Sequence, residues 1–89
     1  MARSKKISDT SIFLEENFRK QLIERAINKA GSMRQLGRIM GYSGNSPNWS
    51  IKQILYGNQG IPLHRMQKLC AFMGVSWKDV EKNARNIRR

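Results

Sequence analysis

"SMRQLGRIMGYSGNSPNWSIKQILYG", residues 32–57, reads as two short helices joined by a turn. In the first, Ser32 and Gln35 have the S-x-x-Q spacing of a capping box, Leu36, Ile39 and Met40 face inward, and Gly41 closes the helix. Gly37 lies in that helix's interior, where glycine costs about 1 kcal/mol relative to alanine. Close approach of a second helix, which a Cβ would obstruct, accounts for it; tolerated local weakness is the other reading. After the turn, Ser46 suits an N-cap and Pro47 a first helical residue, and the helix 47–56 ends with Gly57 as its C′ residue. At about 100° per residue, Ile51, Ile54 and Leu55 share an arc of about 100°. Trp49, Lys52, Gln53 and Tyr56 form a second arc roughly opposite, which leaves aromatic, amide and cationic side chains on the wet face.

Outward from this pair the same periodicity continues. No sustained alternation of period two appears, so strands are not expected. A first helix is expected from an N-cap among Ser8, Asp9 and Thr10 to about Ala30, with Phe18, Leu22, Ala26 and Ala30 inward and Ile23 and Ile27 widening the stripe. Glu15 and Glu16 in its N-terminal half and Lys29 in its last turn suit the helix dipole, and Gly31 can end it. A fourth helix opens with Pro62 as first residue, carries Leu63, Met66, Leu69, Cys70 and Met73 inward and stops at Gly74. A fifth opens with the Ser76–Asp79 box and sets Trp77, Val80, Ala84 and Ile87 on one face, before a cationic end in "ARNIRR". The expected fold class is all-α: one compact five-helix bundle over residues 10–89, preceded by a basic arm, residues 1–9.

The 89 residues suffice for one modest core. A single cysteine excludes an intrachain disulfide, and with one histidine, His64, leaves no plausible zinc set. Cys70 reads as a buried structural thiol, His64 as exposed and Trp77 as core. No apolar run approaches the 18–20 residues of a membrane span, and "MARSKKIS" is not followed by an apolar h-region, so a cytoplasmic protein is expected. The six carboxylates sit near the two ends of the chain and no Gly-rich phosphate loop exists, which argues against an enzyme. No cofactor, metal or small-molecule ligand is expected.

Charge is the informative quantity. The chain carries 17 Lys and Arg against 6 Asp and Glu, a formal net charge of +11. From Arg25 through Lys78 there are eight basic residues and no acidic one. Solvated surfaces normally mix both signs, so a field of one sign points to a polyanionic partner, of which nucleic acid is the commonest.

From Ser32 to Val80 the chain resembles the lambda-repressor-like, or Cro-type, helix-turn-helix family. "SMRQLGRIMGYS" resembles that family's second helix and turn, with Leu36, Gly37, Met40 and Gly41 at positions usually held by Leu, Ala, Leu and Gly. "IKQILYG" resembles the third helix with its terminal glycine, and "LHRMQKLCAFMGVSWKDV" the fourth helix, the G-V-S turn and the start of the fifth. Two features depart from the pattern. The turn is about four residues longer ("GNSP"), and Met33 stands where a phosphate-bonding glutamine is common.

The resemblance implies a sequence-specific duplex-DNA-binding regulator with helix 47–56 in the major groove. Base edges there offer donors, acceptors and the thymine methyl, for which Asn48, Trp49, Lys52 and Gln53 are suited partners. Gln53 can bond adenine bidentately, Asn48 can read adenine or bond to the backbone, Lys52 can reach guanine or a phosphate or remain solvated, and Trp49 can meet a thymine methyl or sugar or fold back over the turn as core. Arg34, Arg38, Tyr56, Asn58 and Gln59 are expected at the phosphate backbone, although Tyr56 could instead pack on the following loop. Arg3, Lys5 and Lys6 form either a groove-tracking arm or a generic basic tail. Reading an operator calls for a homodimer on a two-fold site, with the fifth helix and its neighbours as the expected surface. The competing classes are an antitoxin-like module that binds DNA and a protein, and a sequence-tolerant binder of nucleic acid, RNA included.

Overall fold

The side chains buried in the computed structural model, which describes residues 11–44 and 46–85, are largely those whose helical spacing marks them as core. Helices α1 (Glu16–Ala30), α2 (Met33–Ile39), α3 (Pro47–Leu55), α4 (Leu63–Met73) and α5 (Trp77–Asn83) surround one apolar centre. Leu22, Ile23 and Ala26 of α1, Leu36 beside Met40, Ile51 and Ile54 of α3, Met66, Leu69 and Cys70 of α4 and Val80 of α5 are all buried in it. Ile39, expected inward, is half-buried. Burial also pushes the Cys70 thiol above its usual range, as befits a structural side chain. No described helix is long and apolar enough to cross a membrane.

Two expectations are corrected at the N-terminal end. The first helix begins at Glu16, and residues 11–15 ahead of it are extended, not helical; Ser8, Asp9 and Thr10 lie outside the described residues. The reason lies in the burial: Ile12 and Leu14 are buried and Phe13 between them is 37% exposed, an alternation only an extended chain can satisfy. β1 (Ser11–Ile12) pairs antiparallel with β2 (Ile61–Pro62), Ser11 opposite Pro62 and Ile12 opposite Ile61, so a small two-stranded sheet joins a mostly helical fold in which no strand was expected. Pro62 accordingly belongs to β2 and precedes α4 instead of opening it.

The same segment holds the C-terminal end of the domain. The Arg85 N–H donates to the Phe13 carbonyl (2.7 Å), the Glu15 N–H donates to the Asn83 carbonyl (2.8 Å), and Leu14 bridges to Ala84. Helix α5 therefore stops at Asn83, whose side-chain amide donates to the Asp79 carbonyl (2.8 Å), and Ala84 is extended beside Leu14 and no longer on a helical face. Ile87 lies outside the described residues.

The capping signals hold at two helices and fail at a third. Ser32 and Ser76 accept from the Gln35 and Asp79 N–H groups (3.1 and 3.2 Å). Ser46 makes no side-chain cap bond; α3 starts instead on Pro47, which is fully buried against α2. A Cβ built on Gly37 would lie 2.8 Å from the Pro47 Cβ and 2.8 Å from the Pro47 carbonyl oxygen. Close approach, not local weakness, therefore explains a glycine inside α2.

Three cations reach from one helix to another, each to a carbonyl at or near the end of a different helix, where the macrodipole favours positive charge. Arg19 of α1, only 8% exposed, donates from Nε to the Leu55 carbonyl (3.0 Å) at the end of α3 and from Nη1 to the Leu14 carbonyl (3.4 Å). Arg65 of α4 donates to the Met40 carbonyl (3.3 Å) after α2 and lies 4.3 Å from the centre of the Tyr42 ring. Lys29 of α1 donates to the Phe72 carbonyl (2.7 Å) near the end of α4 and sits 4.8 Å from the Phe72 ring centre.

Tyr42 is the exception to this polar satisfaction. Its hydroxyl is buried without a hydrogen-bond partner, and burial holds its pKa above the ordinary value, the Arg65 charge opposing. Removing an unsatisfied hydroxyl while keeping the ring should not weaken the fold. Tyr42→Phe is expected to raise stability by up to about 1 kcal/mol in thermal unfolding. A loss of about 1 kcal/mol or more would mean that the hydroxyl is bonded through water.

Candidate nucleic-acid interface

α3 divides as its sequence requires. Ile51 and Ile54 are buried, whereas Asn48 and Lys52 are exposed and Gln53 is half-buried. Trp49 is 56% exposed and Tyr56 is 59% exposed, so neither ring is core; the reading of Trp49 folded back over the turn is excluded. Trp49, Lys52, Gln53 and Tyr56 follow i, i+3, i+4, i+7 spacing and so form one stripe, with the two aromatic residues about 10 Å apart along the axis.

The end of α3 is fixed by a turn around Gly57, whose φ of +83° only glycine adopts without strain. The Gly57 N–H donates to the Ile54 carbonyl and the Asn58 N–H to the Gln53 carbonyl (both 3.0 Å), the hydrogen-bond pair of a Schellman motif. Arg19 packs against this turn, its guanidinium carbon 3.1 Å from where a Gly57 Cβ would stand. The Asn58 side chain then donates from Nδ2 to Gln53 Oε1 (3.0 Å). Asn58, expected to meet the phosphate backbone, is thus first a partner of Gln53.

α2 contributes at the other end of α3. Arg34 and Arg38 are exposed, and Ser32, Met33 and Arg34 line an open cleft together with Asn48. Gln59 is half-buried and borders a small crevice with Phe13, Arg19 and Gly57. Arg3, Lys5 and Lys6 lie outside the described residues. Ser11 sits against Gly60, whose added Cβ would be 2.8 Å from the Ser11 Cβ.

The charges are segregated by helix as well as along the sequence. Among the described residues the carboxylates are confined to Glu15, Glu16 and Glu24, in or beside α1, and Asp79 and Glu81 of α5; α2, α3 and α4 have none. Glu16 is paired with Lys20 (3.0 Å), and that hydrogen bond, more than the charge itself, lowers its pKa. Sequence reasoning missed Lys68 of α4. Its Nζ would lie 3.3 Å from a Cβ on Gly41, which places its charge where α2 turns toward α3. Nothing local announces this, because α4 follows α2 by more than twenty residues. Arg65, conversely, is half-buried and serves a structural task, and Lys29, though exposed, is engaged with the Phe72 carbonyl.

No group of three or more His, Cys, Asp or Glu side chains able to hold a metal occurs among the described residues. No protein-family model, curated protein or solved structure matches this chain.

Proposed function

We propose that this chain is a sequence-specific duplex-DNA-binding protein that regulates transcription, with α2 and α3 as a helix-turn-helix and α3 in the major groove. The observation that carries the proposal is the exposed Trp49–Lys52–Gln53–Tyr56 stripe of α3, set in a part of the molecule without carboxylates. Such a stripe matches what base edges offer: Gln53 pairs with an adenine, Lys52 with guanine or a phosphate, and Trp49 with a thymine methyl or sugar. Asn48 and Arg34, at the shared cleft, and Arg38, Tyr56 and Lys68 serve the phosphates. One copy reads few base pairs, so the working form is a homodimer on a two-fold site, in the cytoplasm.

The exposure of two aromatic rings on one stripe favours a second reading, in which Trp49 and Tyr56 stack on unpaired bases and the protein is a sequence-tolerant clamp. One experiment separates the two. Sequences are selected from a random duplex pool at near-physiological salt, with RNA and single-stranded DNA as competitors. The regulator reading expects a recovered palindrome. It also expects log K to fall with log[salt], and Arg38→Gln to make that slope shallower by about one unit. Capture by the single-stranded competitors, or enrichment of no sequence, would sink the regulator reading in favour of the clamp.

A further inference from the structure

The Schellman turn at Gly57 brings together two side chains that usually make an apolar contact, those of the residue two beyond the helix end and of the third residue from it. Here those residues are Asn58 and Gln53, and they meet through a hydrogen bond between their amides. We infer, resting on the DNA-binding reading above, that Asn58 is a positioning residue: it holds the Gln53 amide in one orientation, so that Gln53 reads adenine and rejects the other bases.

A glutamine on a helix surface is a poor reader unless it is oriented. Its long side chain loses rotamer entropy on ordering, and its amide presents opposite patterns when turned over. Asn58 acts against both. Its backbone is fixed by the turn, and its Nδ2 occupies one of the two acceptor sites on Gln53 Oε1. Turning the Gln53 amide over would break that bond unless the Asn58 amide turned over with it. What remains on Gln53 is one oxygen lone pair and both Nε2 hydrogens. Adenine presents an N7 acceptor beside an N6 donor and satisfies both, whereas guanine offers two acceptors and sets one against the oxygen. Because half-buried Gln53 sits midway along the stripe, with Trp49 and Tyr56 one turn away on either side, the fixed amide is flanked by ring surface that excludes water in the complex.

The variants suited to the test are Asn58→Ala and Gln53→Ala, singly and together. Asn58 is exposed, and alanine keeps the backbone N–H that closes the turn, so the Tm of Asn58→Ala should stay within a few degrees of wild type. Each protein is put through the duplex selection, and binding is then measured on sites changed one base pair at a time. Wild type is expected to prefer adenine at one position per half-site by roughly five- to 150-fold, the worth of a good bidentate pair. Gln53→Ala should erase that preference. Asn58→Ala should cut it to about threefold or less while leaving other positions unchanged, and should have no further effect on base preference when Gln53 is already alanine.

Three results would overturn the inference. A uniform loss of affinity for every sequence in Asn58→Ala would make Asn58 a backbone ligand only. A Gln53-dependent position that prefers guanine, thymine or cytosine would contradict the amide orientation, and equal base discrimination by Asn58→Ala and wild type would show that Gln53 needs no partner. If the wild-type arm alone enriches no sequence, the DNA-regulator reading falls first and this inference with it, before either variant is read.

Discussion

Arg19→Ala is expected to lower stability by about 2–4 kcal/mol in urea unfolding and to drop Tm by roughly 10 °C or more. Arg19 is nine-tenths buried, and its guanidinium donates to carbonyls from two separate segments, Leu55 at the end of α3 and Leu14 in the extended chain. Hydrogen bonds from charged donors contribute about 1.5–3 kcal/mol each, and deleting the donor also leaves carbonyls and a void behind. Arg19→Lys should recover only part of the loss, because a single ammonium on a flexible stem cannot reproduce a planar fork spanning two acceptors. The consequence reaches the interface, since the same guanidinium packs on Gly57 and steadies the turn that presents Asn58. A change below about 0.5 kcal/mol would show that water replaces the clamp at no cost and that the end of α3 is held by its own hydrogen bonds.

Arg19 also shows why the sequence was only partly legible. It stands four residues before Ile23 and seven before Ala26, on the buried stripe of α1, so its position was readable. Its type concealed it: an arginine in a chain of net charge +11 reads as one more surface cation. Arg65 and Lys29 were hidden in the same way, because each finds its carbonyl on a helix remote in sequence. Helices α2, α3 and α4 were readable because their apolar spacing and terminal glycines agree, even though Ser46 makes no cap bond and Pro62 precedes α4. The segment from Ser11 to Leu14 was not. Four residues carry too few periods to separate a strand from the first turn of a helix, and the partners that decide, Ile61 and Ala84, arrive fifty and seventy residues later.

At the interface, exposure of the α3 stripe followed from helical geometry and was readable in advance. The bond between Asn58 and Gln53 was not, although its components were in view. Gly57 marked the end of the helix, but a Schellman motif is one of several ways to use such a glycine, and only that one sets Asn58 over Gln53. Nor was the placement of Arg34 and Asn48 in the same cleft as Met33 readable, because it depends on how α2 and α3 cross.

The second large effect is expected at Gly37. On helix propensity alone, Gly37→Ala should stabilise by about 1 kcal/mol. In the folded protein the new methyl would meet a proline ring and a backbone oxygen, both at 2.8 Å and neither able to rotate away. The only relief is a shift of α3 away from α2, and overpacking of this kind costs about 1–3 kcal/mol, so a net loss is expected. Gly37→Val adds two further carbons and should leave the protein largely unfolded at 37 °C. Thermal unfolding measures both, and duplex binding at 10 °C, where Gly37→Ala remains folded, measures the displacement of α3 separately. Affinity there should fall tenfold or more, because Pro47 begins the helix that carries the proposed reading stripe and any shift at Pro47 moves Trp49, Lys52 and Gln53 together. If Gly37→Ala proved more stable than wild type and bound normally, α2 and α3 would have to separate freely, and the glycine would mark nothing more than a weak turn of helix.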